Sequence, residues 1–127
     1  LNRAGRLFIF SSLWLIATII LLTLPGSAFP HTNWLDKIWA DKWVHIFLFF
    51  TLVTLWCMAF FWLNPQNNNL QMIFVFISLA AVAYGIGMEY VQKYFIPNRS
   101  FDKVDIIADA IGSAGGLIYC LLRYIKK

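Results

Sequence analysis

The sequence predicts an all-α membrane protein: four transmembrane helices in an antiparallel bundle, with a short interfacial helix between spans one and two. Three observations predict it. Hydrophobic residues make up 61% of the chain and charged ones 13%, more apolar side chain than 127 residues can hide from water. Four apolar runs of spanning length are separated by short polar breaks. Finally, the cations sit singly or in pairs at the ends of those runs, the pattern of membrane anchoring. That placement argues against a nucleic-acid partner despite the formal charge of +4.

The first span, residues 7–24, follows Arg3 and Arg6. A cleaved signal peptide is the competing reading, but the apolar run exceeds the ~7–15 residues usual for one. Pro25 to Pro30 make a turn, and Thr32 or Asn33 can cap an interfacial helix at 34–40. There Trp34, Leu35, Ile38 and Trp39 share one face, with Asp36 and Lys37 on the other. The second span, 43–63, is entered through Asp41, Lys42 and His45; a short uncharged loop, 64–69, leads to the third, 70–95. Pro97 breaks the chain before the fourth, 104–125, which Ser100 or Asp102 can start. Short connections between four spans within 127 residues make one domain and an antiparallel bundle. Cys57 and Cys120 lie inside apolar runs and read as packing residues, with neither a disulfide nor a metal pair expected.

Strict alternation of the spans puts loops 25–42 and 96–103 on one side of the membrane. All six acids (Asp36, Asp41, Glu89, Asp102, Asp105 and Asp109) then fall in that half. Lys37, Lys42, Lys93, Arg99 and Lys103 accompany them, whereas the opposite side has five cations and no acid. Free cations weigh more than paired ones, so the termini are expected in the cytoplasm and the acidic half outside.

The segment 83–116 carries the chemistry. Asp41 and His45 are four residues apart, and Lys42 and His45 three apart, so they can share a helix face. Gly85, Glu89 and Gln92 form a second stripe. Asp102, Asp105, Asp109, Gly112 and Gly116 form a third, whose acids run into a GxxxG surface where another helix can come close. Glu89 lies ~9 Å below the end of its span and Asp109 a similar depth below Asp102, at 1.5 Å per residue. Groups from three helices can therefore converge just under one membrane surface. Asp102 and Asp105 also suit a helix N-terminus on capping grounds alone, and the lysines suit lipid phosphates. Glu89 and Asp109 have no such ordinary explanation, because neither could face lipid cheaply.

At these residues the chain resembles the VanZ-like family of small bacterial membrane proteins, named after a protein associated with resistance to the glycopeptide antibiotic teicoplanin. The resemblance rests on Asp41-Lys42 with His45, on YGIGMEYVQ with Glu89 and Gln92, and on Pro97, Arg99, Asp102, Asp105 and the ADAIG segment. The family often carries Asn where this chain has Asp109. The resemblance implies a polytopic protein of the bacterial cytoplasmic membrane, and it brings no established reaction.

Three functions follow from the residues. The first is a binding or accessory module for an anionic or amphipathic envelope molecule, such as a lipid-linked cell-wall intermediate or a glycopeptide. Lys42, His45, Glu89, Gln92, Arg99, Asp102, Asp105 and Asp109 would line its pocket, with no cofactor and no dedicated metal. The second is an intramembrane enzyme acting on a lipid-linked phosphate or ester, with Asp41, His45, Glu89 and Asp109 as candidate catalytic groups. The third is a proton-coupled transporter. It would need a homo-oligomer, because four helices rarely enclose a pathway and the acids crowd one side.

Overall fold

The computed structural model describes residues 1–24, 40–97 and 101–125. Four helices account for nearly all of them: α1 (Arg3–Leu22), α2 (Ala40–Leu63), α3 (Leu70–Phe95) and α4 (Lys103–Tyr124). Each is long and apolar enough to cross a membrane. The shortest, at 20 residues, spans ~30 Å at 1.5 Å per residue, the thickness of a hydrocarbon core. The helices follow the predicted spans closely, except that α1 and α2 start four and three residues earlier, α1 taking in Arg3 and Arg6. The interfacial helix predicted at 34–40 lies outside the described residues, but for Ala40 at the start of α2.

Lipid offers no hydrogen bonds, so each helix must satisfy its own polar groups. α1 does this with its hydroxyls. Ser11 donates to the Leu7 carbonyl at 2.7 Å, Ser12 to Phe8 at 2.8 Å, and Thr18 to Leu15 at 2.7 Å. Asn2 caps the helix start by accepting from the Gly5 N–H at 2.8 Å. α4 begins on Asp102, whose carboxylate accepts from the Val104 N–H at 2.9 Å.

The most extensive packing is between α2 and α4, and the glycines of the predicted stripe make it possible. A Cβ on Gly112 would collide with the carbonyl oxygen of Ile46, and one on Gly116 would lie 2.9 Å from that of Phe50. Neither position has room for a side chain. Contacts along this seam climb both helices together, from Lys42 with Asp105, through Ile46 with Gly112, to Phe61 with Tyr124. α2 and α4 therefore run in the same direction.

α1 runs the other way along α2. Arg3 sits over the Trp62 ring at 4.2 Å, Phe8 packs edge-on against Phe60, and Trp14 donates to the Leu48 carbonyl at 3.0 Å. α3 likewise runs against α4, with Gly85 facing Asp109 and Ser78 donating to the Ser113 carbonyl at 3.1 Å. Phe49, Val53, Cys57, Phe74 and Cys120 fill the centre, and both thiols are free and buried. Large side chains such as Phe10, Leu13, Ile20, Phe76, Leu79, Ile111 and Leu122 point outward. Water would not tolerate so much exposed apolar surface, whereas lipid does.

The glycine seam makes a paired prediction. Gly112→Leu must push α2 away through a backbone atom that cannot yield, so it should cost about 3 kcal/mol, the upper end of ordinary overpacking. A Cβ on Gly87, also helical, meets nothing within 4 Å. Gly87→Ala should therefore stabilise by about 0.5–1 kcal/mol through the lost chain entropy of glycine. Unfolding midpoints of the two variants in a denaturing-detergent titration would check both.

Candidate functional site

Polar side chains gather where α2 and α4 begin and α3 ends. Lys42 enters from the first turn of α2, and its Nζ donates to Asp102 Oδ2 and to Asp105 Oδ1, each at 2.5 Å. One cation thus holds two carboxylates from the start of α4. Their ionised forms also suit the positive end of that helix. Burial works against an ionised Asp102, but its hydrogen bond and charge contact with Lys42, aided by the Val104 N–H, win. Its carboxyl is held below the usual range. Asp102 thus stabilises the fold above its unfolded pKa of ~3.9, and that contribution is lost as pH falls through the lower folded value.

One turn deeper, His45 stands between two acids. Nδ1 is 2.7 Å from Asp109 Oδ1, a buried hydrogen bond, and Nε2 is 3.7 Å from Asp105 Oδ2, an ionic approach without a hydrogen bond. Asp109 can reach the ring because Gly85 lets it lie against α3: a Cβ there would be 2.7 Å from Asp109 Oδ2. The order from the membrane surface inward is Asp102, Lys42, Asp105, His45, Asp109. Side-chain exposure falls along it from 38% at Asp102 through 14% at Lys42 to 3% at Asp109.

α3 closes the cluster with Glu89 and Gln92, one turn apart and both buried. Gln92 Nε2 donates to the Leu22 carbonyl at 2.8 Å, fastening the end of α1 to α3. A second tie between these helices is the 2.8 Å hydrogen bond of Thr18 with the Tyr84 hydroxyl. Glu89 lies carboxyl to carboxyl against Asp105, with Asp109 nearby, and among the described residues no donor reaches either of its oxygens.

Of the predicted site residues, the structure brings together Lys42, His45, Glu89, Gln92, Asp102, Asp105 and Asp109. Arg99 and the Asp41 side chain lie outside the described residues, and with them any pairing of Asp41 with His45. The His45–Asp109 pair and the double grip on Lys42 were not foreseen. Their partners are 60 to 64 residues apart, beyond any spacing rule within one helix. Among the described residues, no three His, Cys, Asp or Glu side chains form a group that could hold a metal ion.

Over 87 residues, 68% of the chain, the sequence is 30% identical to an uncharacterized protein of Schizosaccharomyces pombe. The match covers 50% of that protein, so the chain spans about half the length of this curated relative. No family model matches the sequence, and no solved structure does.

Removing Lys42 leaves Asp105 as a buried charge without this partner. Lys42→Met should cost about 3 kcal/mol, the low end of the range for a broken buried pair, because Asp102 remains open to solvent. Adding Asp105→Asn should recover part of that loss, making the double variant less damaging than the sum of the singles. A double-mutant cycle of unfolding free energies would read the coupling.

Proposed function

We propose that this is a multi-pass protein of the bacterial cytoplasmic membrane, an antiparallel four-helix bundle of the VanZ-like kind with an interfacial helix before α2. Its polar cluster is a binding or accessory site for an anionic or amphipathic envelope molecule, of the class of lipid-linked cell-wall intermediates or glycopeptides. The motif resemblance supports the bacterial assignment and a link to glycopeptide resistance; the similar protein above is from a yeast. The observation that carries the binding reading is the graded network headed by Lys42. Its outer partner, Asp102, is the most exposed member and its inner partner, Asp105, is buried. A ligand phosphate or carboxylate could take the place of Asp102 on Lys42 without uncovering Asp105. The N-terminus of α4 beside it favours the same charge. The far end of the bundle carries cations and an uncharged amide-rich loop but no acid, which fits a site reached from one surface better than a path through the membrane.

A polyprenyl phosphate added to the detergent-purified protein is the direct test. The wild type should bind it with a saturable rise in melting temperature. Lys42→Gln should lose that binding, and Asp102→Asn, which removes the competing carboxylate, should tighten it. Indifference of all three proteins to the phosphate would reject the site.

One observation favours an enzyme instead. Asp109 holds His45 Nδ1 while Nε2 makes no hydrogen bond among the described residues, the arrangement of an oriented acid–base imidazole. Asp109→Asn separates the two readings, since Asn keeps an acceptor for Nδ1–H but cannot stabilise an imidazolium. For a binding site, affinity should change by less than about tenfold, or ~1.4 kcal/mol. For an acid–base enzyme acting on a lipid-linked phosphate or ester, turnover should fall by roughly 10²–10⁴-fold.

The orientation has its own check. With Cys57 and Cys120 replaced, single cysteines at Ser27 and Asn68 can be treated with an impermeant thiol reagent on intact cells. Labelling is expected at Ser27→Cys alone; the reverse pattern would put the cluster on the cytoplasmic side.

A further inference from the structure

Glu89 and Gln92 raise a question that the binding reading leaves unanswered. Each is 1% exposed. Five buried side-chain oxygens lack a hydrogen-bond partner among the described residues, and three of them (Glu89 Oε1, Glu89 Oε2 and Gln92 Oε1) belong to this pair. Positions three apart on a helix are neighbours on one face, about 5–6 Å between Cβ atoms. The orientation of the Gln92 amide is set by its own contact: Nε2 must face the Leu22 carbonyl, so Oε1 is left facing away from it. These atoms are oxygens of one carboxyl and one amide, side by side and shielded from water.

Charge runs short here as well. The described cluster holds four carboxyls (Glu89, Asp102, Asp105 and Asp109) against Lys42 and, when protonated, His45. Lys42 and His45 are already engaged by the three aspartates. An unpaired carboxylate buried in a lipid-spanning bundle is costly, so something positive belongs beside Glu89. A proton on the carboxyl would neutralise it and could bridge one of its oxygens to Gln92 Oε1 or to Asp105, but it would leave the second carboxyl oxygen bare. A water could donate twice but would not neutralise charge. A cation that binds hard oxygen ligands answers both needs at once. One carboxylate beside a neutral amide balances a single positive charge. The burial of both side chains excludes a bulky head group.

We propose that Glu89 and Gln92 form a binding site for a dehydrated monovalent metal cation of the sodium class, between the end of α1, the last turns of α3 and the start of α4. The ion would be structural to the site. Through Gln92 and the Leu22 carbonyl it ties α1 to α3, and through Glu89 it offsets the acids of α4. This goes beyond the recognition of an envelope molecule at Lys42 and does not depend on it.

The test uses the full chain, purified in detergent and dialysed into choline chloride. Sodium or potassium chloride replaces choline at constant ionic strength while the melting temperature is followed. The expected result is a saturable rise with one of the two metal ions, as for any ligand that binds only the folded state. Glu89→Gln, a neutral variant of the same shape, should abolish that rise and melt in choline no lower than the wild type. A purely structural glutamate would not link its substitution to the identity of the salt cation. Should Glu89→Gln fail to fold, Gln92→Met removes the amide oxygen alone and should shift the midpoint to higher salt by tenfold or more, ~1.4 kcal/mol. A wild-type melting temperature indifferent to sodium, potassium and choline would overturn the proposal and leave a proton as the neutraliser of Glu89. An equal rise in Glu89→Gln, or an unchanged midpoint in Gln92→Met, would overturn it too.

Discussion

The grip of Lys42 on Asp102 and Asp105 is the interaction on which the rest of this end of the bundle depends. It fixes the first turn of α2 against the first turn of α4, and from there the register of the seam follows. His45 arrives one turn in and meets Asp109; Ile46 arrives next and lies on Gly112. The ion pair alone would not bring the helices so close. Two backbone surfaces can approach to carbonyl contact only where side chains are missing, which Gly112 and Gly116 supply. Charge sets the register and glycine sets the distance, and each would be weak without the other.

This coupling explains how three aspartates can sit at or just below a membrane surface. An isolated carboxylate at that depth would be costly, but Asp102 and Asp105 share the charge of Lys42, and Asp109 is hydrogen-bonded to His45, both partners coming from the neighbouring helix. α1 joins on different terms. It offers no charged group to the cluster, only the Leu22 carbonyl and the Thr18 hydroxyl, and so adds a wall without adding a countercharge. Glu89 consequently faces the acids of α4 with no cation from α1 to meet it. The proposed recognition of an envelope anion at Lys42 and the proposed cation beside Glu89 are two responses to one imbalance. The outer part of the network can exchange partners with the membrane surface, while the inner part must be neutralised within the fold.

Sequence alone determined the four helices, because an apolar run of spanning length in lipid can satisfy its backbone only by coiling on itself. It also determined which residues share a face. The stripe Gly85–Glu89–Gln92 is buried as its periodicity requires, and so is the stripe Asp102–Asp105–Asp109–Gly112–Gly116 except for Asp102 at its outer end. Periodicity, however, describes a helix only in relation to itself. That the glycine surface receives α2, that His45 pairs with Asp109 across 64 residues, and that Lys42 divides between two aspartates were decided by tertiary structure. Those facts depend on the rotation and height of one helix against another, set by packing between segments far apart in the chain. The bare oxygens of Glu89 belong to the same class, since which donors reach a buried carboxyl depends on how the neighbouring helices are placed around it.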